Sequence, residues 1–271
     1  MNYRIGIVEW AFPVPGPYGL KIAADMGIEG MELDFGDYET GFKLSNPVIQ
    51  KAYMECGSQF GVEFPSIALN ALNAHGMRHG RNTYDGMIAV ETICRGVQAA
   101  ADMKIPVVQV PSFDDGAIDS EEDFWNTCEK VRLACELAKR HDIIIAVENV
   151  LSAEDSLKMI REVNCDNLKV FYDSQNYQLE KGYSQQEILR ELKEYICQIH
   201  IKDGFNQTIS SALLGKGDTE FYKTVQIIKE CHCTTWLLLE NYYNQKPLSL
   251  LNADAFTLLA EDIRTVQQAF A

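Results

Sequence analysis

The sequence has few of the features that mark nucleic-acid-binding proteins. Its 271 residues include 24 Lys and Arg against 39 Asp and Glu, which gives a formal net charge of −15 and a pI of about 4.7. Surfaces that bind nucleic acid are usually basic, because they must neutralise phosphates. The acidic balance therefore argues against a DNA or RNA partner, and no cluster of Lys or Arg indicates a local exception.

Cysteine pairs of the kind that ligate zinc are also missing. None of the eight cysteines lies in a C-x-x-C pair, and several fall within apolar helix or strand patterns. In a chain of this length they are expected to be reduced residues of the core. The segment Cys231-His232-Cys233 offers three soft ligands without a partner set, so a structural role is the preferred interpretation.

Targeting and membrane-spanning segments are not recognisable. The N-terminal segment MNYRIGIVEW lacks the charged and then apolar order of a signal peptide. No uncharged apolar run reaches the roughly 18 residues that a membrane span needs. We therefore expect a cytoplasmic protein without a membrane partner. With 46 % hydrophobic and 23 % charged residues, the chain can form a large core beneath a polar surface.

Short apolar runs alternate with longer amphipathic ones along the chain. Eight runs are predicted to be strands: Tyr3–Glu9, Gly30–Asp34, Val62–Leu69, Val107–Val110, Ile143–Glu148, Leu168–Asp173, Ile196–Ile201 and Trp236–Glu240. Short and continuously apolar strands are typical of parallel sheets covered by helices. Eight strand-then-helix units predict an α/β protein, a closed (β/α)₈ barrel formed by one domain over residues 1–271.

An open doubly wound sheet is the alternative fold. That fold usually has a glycine-rich phosphate turn after its first strand. Here the first predicted strand leads into Glu9-Trp10-Ala11-Phe12-Pro13, which has no such turn. The closed barrel is therefore preferred.

Several helix starts can be predicted from capping residues. Asp119 or Ser120 is expected to cap the helix that follows it, and Asp218 the helix after the later glycine turn. Asn46-Pro47 is expected to open another helix, with proline in the first turn.

The last four predicted strands share one chemical feature. Each ends in, or carries near its end, a residue that can ligate a metal: Glu148, Asp173, His200 and Glu240. The carboxyl ends of barrel strands all point to one mouth, so these side chains should converge there. Three converging carboxylates need a cation, a shared proton or an arginine, and no arginine lies in these strands. One imidazole and three carboxylates suit Mn²⁺, Mg²⁺, Co²⁺ or Zn²⁺.

The same residues carry a resemblance to a known family. The segments concerned are Val147-Glu148-Asn149, Asp173-Ser174-Gln175-Asn176, His200-Ile201-Lys202-Asp203, Leu214-Gly215-Lys216-Gly217-Asp218 and Leu239-Glu240-Asn241. Together they resemble the xylose isomerase-like barrel superfamily, in its sugar phosphate isomerase/epimerase group, over nearly the whole chain. The resemblance implies one divalent ion per chain, often manganese, held by the four residues. It also implies that the two glutamates exchange protons with a substrate carbon, and it allows for a homo-oligomer.

The predicted function is isomerisation or epimerisation of a small sugar or sugar phosphate. Glu148 and Glu240 end the fifth and eighth predicted strands, so they are expected to flank the metal from opposite sides. The metal would act as a Lewis acid and stabilise an enediolate. One glutamate would remove the proton and the other return it, or one would move it between adjacent carbons.

Lys202 and Asn176 are predicted to contact the substrate. Lys202 alternates with His200 along one strand and so should lie one step nearer the mouth, where its ammonium could polarise a carbonyl or grip a phosphate. A surface salt bridge with Asp203 is the alternative. Ketose 3-epimerases of the superfamily resemble D-x-x-H at this point, and the histidine of that motif binds substrate. This chain has Asn176 in place of the histidine. Its amide can still hydrogen-bond a hydroxyl.

Three residues near the ends of the early strands complete the predicted substrate site. Trp10 is expected to form an apolar wall or to pack at the barrel mouth, and Glu32 to bind a hydroxyl or to close a core hydrogen-bond network. His75 lies in a glycine-flanked loop, where a loop role is preferred to a ligand role. The segment Gly215-Lys216-Gly217 could cradle a phosphate, but a turn into the next helix is the simpler interpretation.

The sequence is also compatible with other functions. An inosose-type dehydratase and a hydroxypyruvate isomerase would use the same site. An apurinic endonuclease of the same fold would need three metals and extra histidines, but strand four reads Val107-Val108-Gln109-Val110. A non-catalytic sugar-binding barrel is disfavoured because all four ligand positions are intact.

Overall fold

The computed structural model describes residues 3–271, and its strands form one closed barrel of parallel strands. The strands are β1 (Arg4–Val8), β2 (Gly30–Asp34), β3 (Ile67–Ala68), β4 (Val107–Pro111), β5 (Ile144–Glu148), β6 (Leu168–Asp173), β7 (Ile196–Ile201) and β8 (Trp236–Leu239). They follow one another in chain order around the barrel, and β8 pairs with β1 to close it. The predicted (β/α)₈ fold is confirmed.

Helices connect the strands. Within residues 3–271 the α-helices are α1 (Gly19–Asp25), α2 (Pro47–Phe60), α3 (Tyr84–Met103), α4 (Glu121–Ala138), α5 (Ala153–Val163), α6 (Asn176–Lys181), α7 (Gln185–Leu192), α8 (Phe221–Cys231) and α9 (Ala255–Phe270). Of the helices in this part of the chain, none combines the length and the apolar character that crossing a bilayer would require.

The predicted strand bounds hold everywhere except at β3. Seven strands agree with the prediction to within one residue at each end. The predicted strand Val62–Leu69 is reduced to Ile67–Ala68, with Glu63 forming a separate bridge to Gly30. Pro65 lies between the bridge and the strand, and proline has no N–H to donate to a ladder. The apolar run therefore crosses a break in the pairing.

Two of the predicted helix starts are confirmed. Ser120 caps α4, and its hydroxyl accepts a hydrogen bond from the backbone N–H of Asp123 at 3.1 Å. Pro47 is the first residue of α2, and Asn46 Oδ1 accepts from the N–H of Val48 at 2.9 Å. Both starts follow the local chemistry that satisfies the first N–H groups of a helix.

The predicted cap at Asp218 is wrong. Helix α8 begins later, at Phe221, and Glu220 precedes it with φ 58° and without a side-chain cap. The Asp218 carboxylate instead accepts a hydrogen bond from the backbone N–H of Asn206 at 2.9 Å. It therefore closes the loop after β7 and leaves the helix start uncapped by a side chain.

The chain divides into two compact units. The first contains residues 3–32, 56–63 and 171–271, and the second contains residues 33–55 and 64–170. In the first, β1 and β7 both pair with β8 around buried Ile7, Ile199 and Leu238. In the second, β4 lies between β3 and β5, with Val108 and Ile145 fully buried. The prediction of one domain over residues 1–271 stays a prediction.

All eight cysteines are free thiols, as predicted, but the expectation that they belong to the core holds only for Cys128 and Cys135. Cys94 is exposed, and the other five are partly exposed. Cys128 and Cys135 lie on the buried face of α4. Burial raises the pKa of the Cys128 thiol to about 11. A thiol so far from ionisation is a weak nucleophile and a weak metal ligand, which suits a packing role.

Candidate active site

Four potential metal ligands cluster at the ends of consecutive strands. Glu148 ends β5, Asp173 ends β6, His200 is the penultimate residue of β7, and Glu240 directly follows β8. Each offers one ligand atom that could help to hold a metal ion, and in the first unit His200 Nδ1 lies 3.2 Å from Glu240 Oε2. All four side chains are buried. Asp173, His200 and Glu240 are brought together within the first unit, with Lys202 between the two carboxylates. The approach of Glu148 to them and the role of all four as metal ligands stay predictions.

Lys202 lies among the carboxylates. Its Nζ donates to Glu240 Oε2 at 2.8 Å and lies 3.1 Å from Asp173 Oδ2, and the residue is only 2 % exposed. The alternative of a surface salt bridge with Asp203 is therefore wrong. A buried ammonium between two carboxylates shows that this part of the site favours positive charge. Contact between Lys202 and substrate stays a prediction.

The pKa values of the two carboxylates beside Lys202 are shifted in opposite directions. Burial raises the pKa of Asp173 above its ordinary value, although the Lys202 ammonium opposes the effect. Burial also acts to raise the pKa of Glu240, but Lys202, His200 and a hydrogen bond from Trp10 together lower it below its ordinary value. Glu240 is therefore the better stabilised carboxylate, and Asp173 is the one that an additional cation would stabilise most.

The imidazole of His200 is held between two carboxylates. Its Nε2 lies 2.6 Å from Glu32 Oε2, and its Nδ1 lies 3.2 Å from Glu240 Oε2. His200 and Glu32 are both fully buried. A proton on Nε2 that is donated to Glu32 places the lone pair of the ring on Nδ1, the nitrogen that could then ligate a metal. Glu32 thus lies in the core hydrogen-bond network that the sequence offered as one alternative, and its contact with substrate stays a prediction.

Trp10 lies beside the same cluster. Its Nε1 donates to Glu240 Oε1 at 3.0 Å, and its ring packs edge-on against the His200 ring with 5.9 Å between centroids. The indole therefore orients Glu240 and forms part of the wall around His200. Its predicted contact with substrate remains a prediction.

The start of α6 holds Asp173 in place. The backbone N–H groups of Gln175 and Asn176 donate to Asp173 Oδ1 at 2.7 and 2.6 Å. The other oxygen, Oδ2, is buried and accepts no hydrogen bond from residues 3–271, although Lys202 lies nearby. This leaves Asp173 Oδ2 available as a ligand atom. The predicted hydrogen bond between the Asn176 side chain and a substrate hydroxyl stays a prediction.

His75 belongs to the second unit and has both ring nitrogens engaged. Its Nδ1 lies 2.8 Å from Asp85 Oδ1, and its Nε2 lies 3.0 Å from Glu39 Oε1. Burial acts to lower the pKa of His75, but the two carboxylates outweigh it and the net shift is upward. A ring bonded on both sides ties the loop to the start of α3, which favours the loop role. The substrate contact predicted for His75 stays a prediction.

Gln109 is a site residue that sequence reasoning missed. It is buried in β4, and its Nε2 donates to Glu148 Oε2. The sequence drew attention to this position only because it is not a histidine. The sequence signal that could have indicated it is the alternation of side chains along a strand. Gln109 and Pro111 lie on one face of β4, and their register partners in β5 are Ala146 and Glu148.

The donor set fits a divalent metal. It combines three buried carboxylates with one imidazole whose Nδ1 is directed toward Glu240. Hard oxygen ligands with one imidazole suit Mn²⁺ and Mg²⁺, and Co²⁺ or Zn²⁺ is compatible with the same set. The Asp173 oxygen without a hydrogen bond and the upward shift of the Asp173 pKa both favour a cation at this position.

Comparison with known proteins agrees with the fold. The chain belongs to the xylose isomerase-like TIM barrel family, whose model matches residues 20–266. It is 29 % identical over 259 residues to 2-epi-5-epi-valiolone 7-phosphate 2-epimerase of Actinoplanes sp. (strain ATCC 31044 / CBS 674.73 / SE50/110). The aligned residues cover 94 % of this chain and 93 % of that protein.

Two solved structures share the fold over nearly their whole length. A xylose isomerase domain protein from Planctomyces limnophilus superposes with a TM-score of 0.78 at 16 % identity, covering 99 % of this chain and 98 % of the other. D-psicose 3-epimerase from Clostridium cellulolyticum H10, solved with D-tagatose, gives a TM-score of 0.78 at 13 % identity, with coverage of 98 % and 99 %. At these identities the likeness shows the fold alone.

Proposed function

We propose that this xylose isomerase-like barrel is a divalent-metal-dependent epimerase of a small sugar phosphate or a related phosphorylated ring. The observation that carries the proposal is the set of four buried potential ligands at consecutive strand ends, Glu148, Asp173, His200 and Glu240, with His200 Nδ1 3.2 Å from Glu240 Oε2. The relative named as the 2-epimerase of a 7-phosphate, similar over nearly the full length of both chains, supports the reaction type and the phosphorylated substrate.

The four clustered residues would hold the metal, with Nδ1 as the ligand atom of His200. When bound, the ion supplies Lewis-acid polarisation of a substrate carbonyl. Glu32 would fix the tautomer and the ring orientation of His200 through the contact at Nε2. Mn²⁺ is the ion that we expect from the family resemblance.

The two glutamates would carry the proton. Epimerisation requires one base to take the hydrogen from the carbon beside the carbonyl and an acid to return a proton to the opposite face. The electron pair of the broken C–H bond passes to the carbonyl oxygen and returns when the new C–H bond forms. Glu240 suits the role of base because its lowered pKa keeps the carboxylate ionised and because Trp10 and Lys202 orient its two oxygens.

Burial supports the same chemistry. Glu240 and Glu148 are only 5 % and 4 % exposed, so little water surrounds them. In a dry site, charges and hydrogen bonds act on the substrate more strongly than they do in water.

The proposal is tested with a panel of sugars and sugar phosphates, supplied with Mn²⁺ in D₂O and followed by NMR. We expect inversion at a carbon beside a carbonyl, with deuterium appearing at that carbon. Glu148→Gln and Glu240→Gln should each abolish turnover, and metal content is measured in both. Glu91→Gln, on the exposed face of α3 beside Arg95, is the matched control and should retain full activity.

Two outcomes would contradict the proposal. Inversion at full rate without deuterium uptake would indicate hydride transfer and would exclude proton exchange by the glutamates. If metal-loaded protein converts no member of the panel, sugar epimerisation is excluded and the dehydratase alternative is favoured. The cytoplasmic location, the homo-oligomer and the identity of the metal stay predictions.

A further inference from the structure

We propose that Gln109 is a positioning residue that fixes the orientation of the Glu148 carboxylate. The proposal rests on the proposed function for its kinetic consequence, whereas its effect on metal affinity can be measured without any substrate. Gln109 and Glu148 both belong to the second compact unit and lie on neighbouring strands.

Strand register brings the two side chains together. In the parallel pairing of β4 with β5, Gln109 is the partner of Ala146, and Pro111 is the partner of Glu148. Residues two apart on a strand share a face, so Gln109 and Glu148 lie on the same side of the pair. Gln109 stands one step earlier along the strands, from where its long side chain reaches Glu148 Oε2.

The carboxylate determines which way the amide points. A carboxylate only accepts hydrogen bonds, so Nε2 and not Oε1 of Gln109 must face Glu148. The amide oxygen, Oε1, is buried and has no hydrogen-bond partner among residues 3–271. Within this part of the chain, the contact with Glu148 is therefore what orients the amide.

This arrangement does not serve stability. A buried acceptor without a partner destabilises the fold, because its bonds to water are lost and not replaced. Methionine would fill similar space in β4 without an unsatisfied oxygen. A glutamine at this position is therefore better explained by its hydrogen bond to Glu148, a proposed metal ligand and catalytic glutamate, than by packing.

The test compares wild type with Gln109→Met as full-length, metal-depleted protein. Calorimetric titration with Mn²⁺ should give a dissociation constant roughly 10-fold higher in the variant, since loss of a group that orients a ligand typically costs 10- to 100-fold in metal affinity or activity. The melting temperature of the metal-free variant should change little, because removal of the unsatisfied Oε1 offsets the loss of the hydrogen bond to Glu148. On the true substrate, kcat should fall by a similar factor while KM changes little.

Gln50→Met is the matched control. Gln50 is also a buried glutamine of the second unit, but its Nε2 donates to the backbone carbonyl of Leu44 at 2.8 Å. That substitution should lower the melting temperature and leave Mn²⁺ affinity and kcat as in wild type. If Gln109→Met does not fold, Gln109→Asn, which keeps an amide but shortens its reach, is measured by the same titration and should also bind Mn²⁺ more weakly.

Failure of this proposal is distinct from failure of the proposed function. Wild-type Mn²⁺ affinity and kcat in the Gln109 variant, with an active wild-type enzyme, would overturn the positioning role alone. A lower melting temperature with unchanged affinity, as expected for Gln50→Met, would make Gln109 structural and would also overturn it. If wild type binds Mn²⁺ but converts no substrate, the proposed function fails, and the affinity comparison still decides the role of Gln109.

Discussion

Replacing Lys202 by methionine removes a buried ammonium from between two carboxylates. In the wild-type chain Nζ lies 2.8 Å from Glu240 Oε2 and 3.1 Å from Asp173 Oδ2. Methionine keeps most of the apolar stem but carries no charge, so both carboxylates lose a shared cation. The metal-free variant should therefore be less stable than metal-free wild type.

The size of the effect follows from the burial of all three groups. Removing one partner of a buried ion pair typically costs about 3–5 kcal/mol, because the remaining charge stays buried without compensation. For a domain of this size each kcal/mol lowers the melting temperature by about 2–4 °C. We thus expect the metal-free variant to melt roughly 6–20 °C below wild type. A divalent ion would replace the lost charge, so Mn²⁺ should raise the melting temperature of the variant more than that of wild type.

The assay is a thermal melt of both proteins with a chelator and with a fixed excess of Mn²⁺. Lys130→Met is the matched control, because Lys130 is also buried but donates to the neutral backbone carbonyls of His79 and Asn126 at 2.6 and 3.3 Å. It should lower stability while showing the wild-type response to Mn²⁺. An equal Mn²⁺-induced shift in wild type and in Lys202→Met would refute the electrostatic argument. Metal retained with a lower kcat or a higher KM would support the predicted substrate contact.

Three further substitutions test other parts of the site. His200→Ala should lose most of the bound metal, and unchanged metal in elemental analysis would remove His200 from the ligand set. Glu32→Gln should raise the Mn²⁺ dissociation constant by roughly 10-fold, measured by calorimetry, because it no longer fixes the His200 tautomer. Burial raises the pKa of Asp262 to about 7, so this carboxyl stabilises the fold in acid and loses that contribution as the pH rises toward 7. The stability advantage of wild type over Asp262→Asn in urea unfolding should shrink by about 3 kcal/mol between pH 5 and pH 8, and a constant difference would contradict the shift.

The strands were predictable because a buried parallel strand is a continuous apolar run. The predicted bounds of β2, β6 and β7 match the structure to the residue. The prediction at β3 fails because the run from Val62 to Leu69 is apolar on both sides of Pro65, whereas pairing depends on the partner strand. The cap at Asp218 fails for a similar reason, since Asn206 binds its carboxylate within the loop. Local pattern indicates which residues are apolar or polar, but not which partner each one meets.

The positions of the proposed ligands at the strand ends were predictable because they follow from the apolar runs that form the strands. The contacts that orient them were not. Glu32 and His200 are separated by 168 positions in the sequence, and neither lies in a motif that names the other. The hydrogen bond from Gln109 to Glu148 depends on strand register and side-chain rotamer, which local periodicity does not specify. A residue that orients a proposed metal-ligating side chain is thus harder to predict than the metal-ligating residue itself.

The glycine turn after β7 bears on how the proposed substrate would bind. Asp203 follows Lys202 directly, but its buried carboxylate receives donors from its own loop. These donors are the backbone N–H groups of Gly204, Gly215 and Gly217 and the hydroxyl of Thr219, at 2.6 to 3.0 Å. A Cβ at Gly217 would lie 2.1 Å from Asp203 Oδ1, so the close approach requires glycine. This contact joins the His200–Asp203 and Leu214–Asp218 segments in the fold. Because the N–H groups of Gly215 and Gly217 already donate to Asp203, they cannot also cradle a phosphate, and a phosphate on the substrate must be bound by other groups.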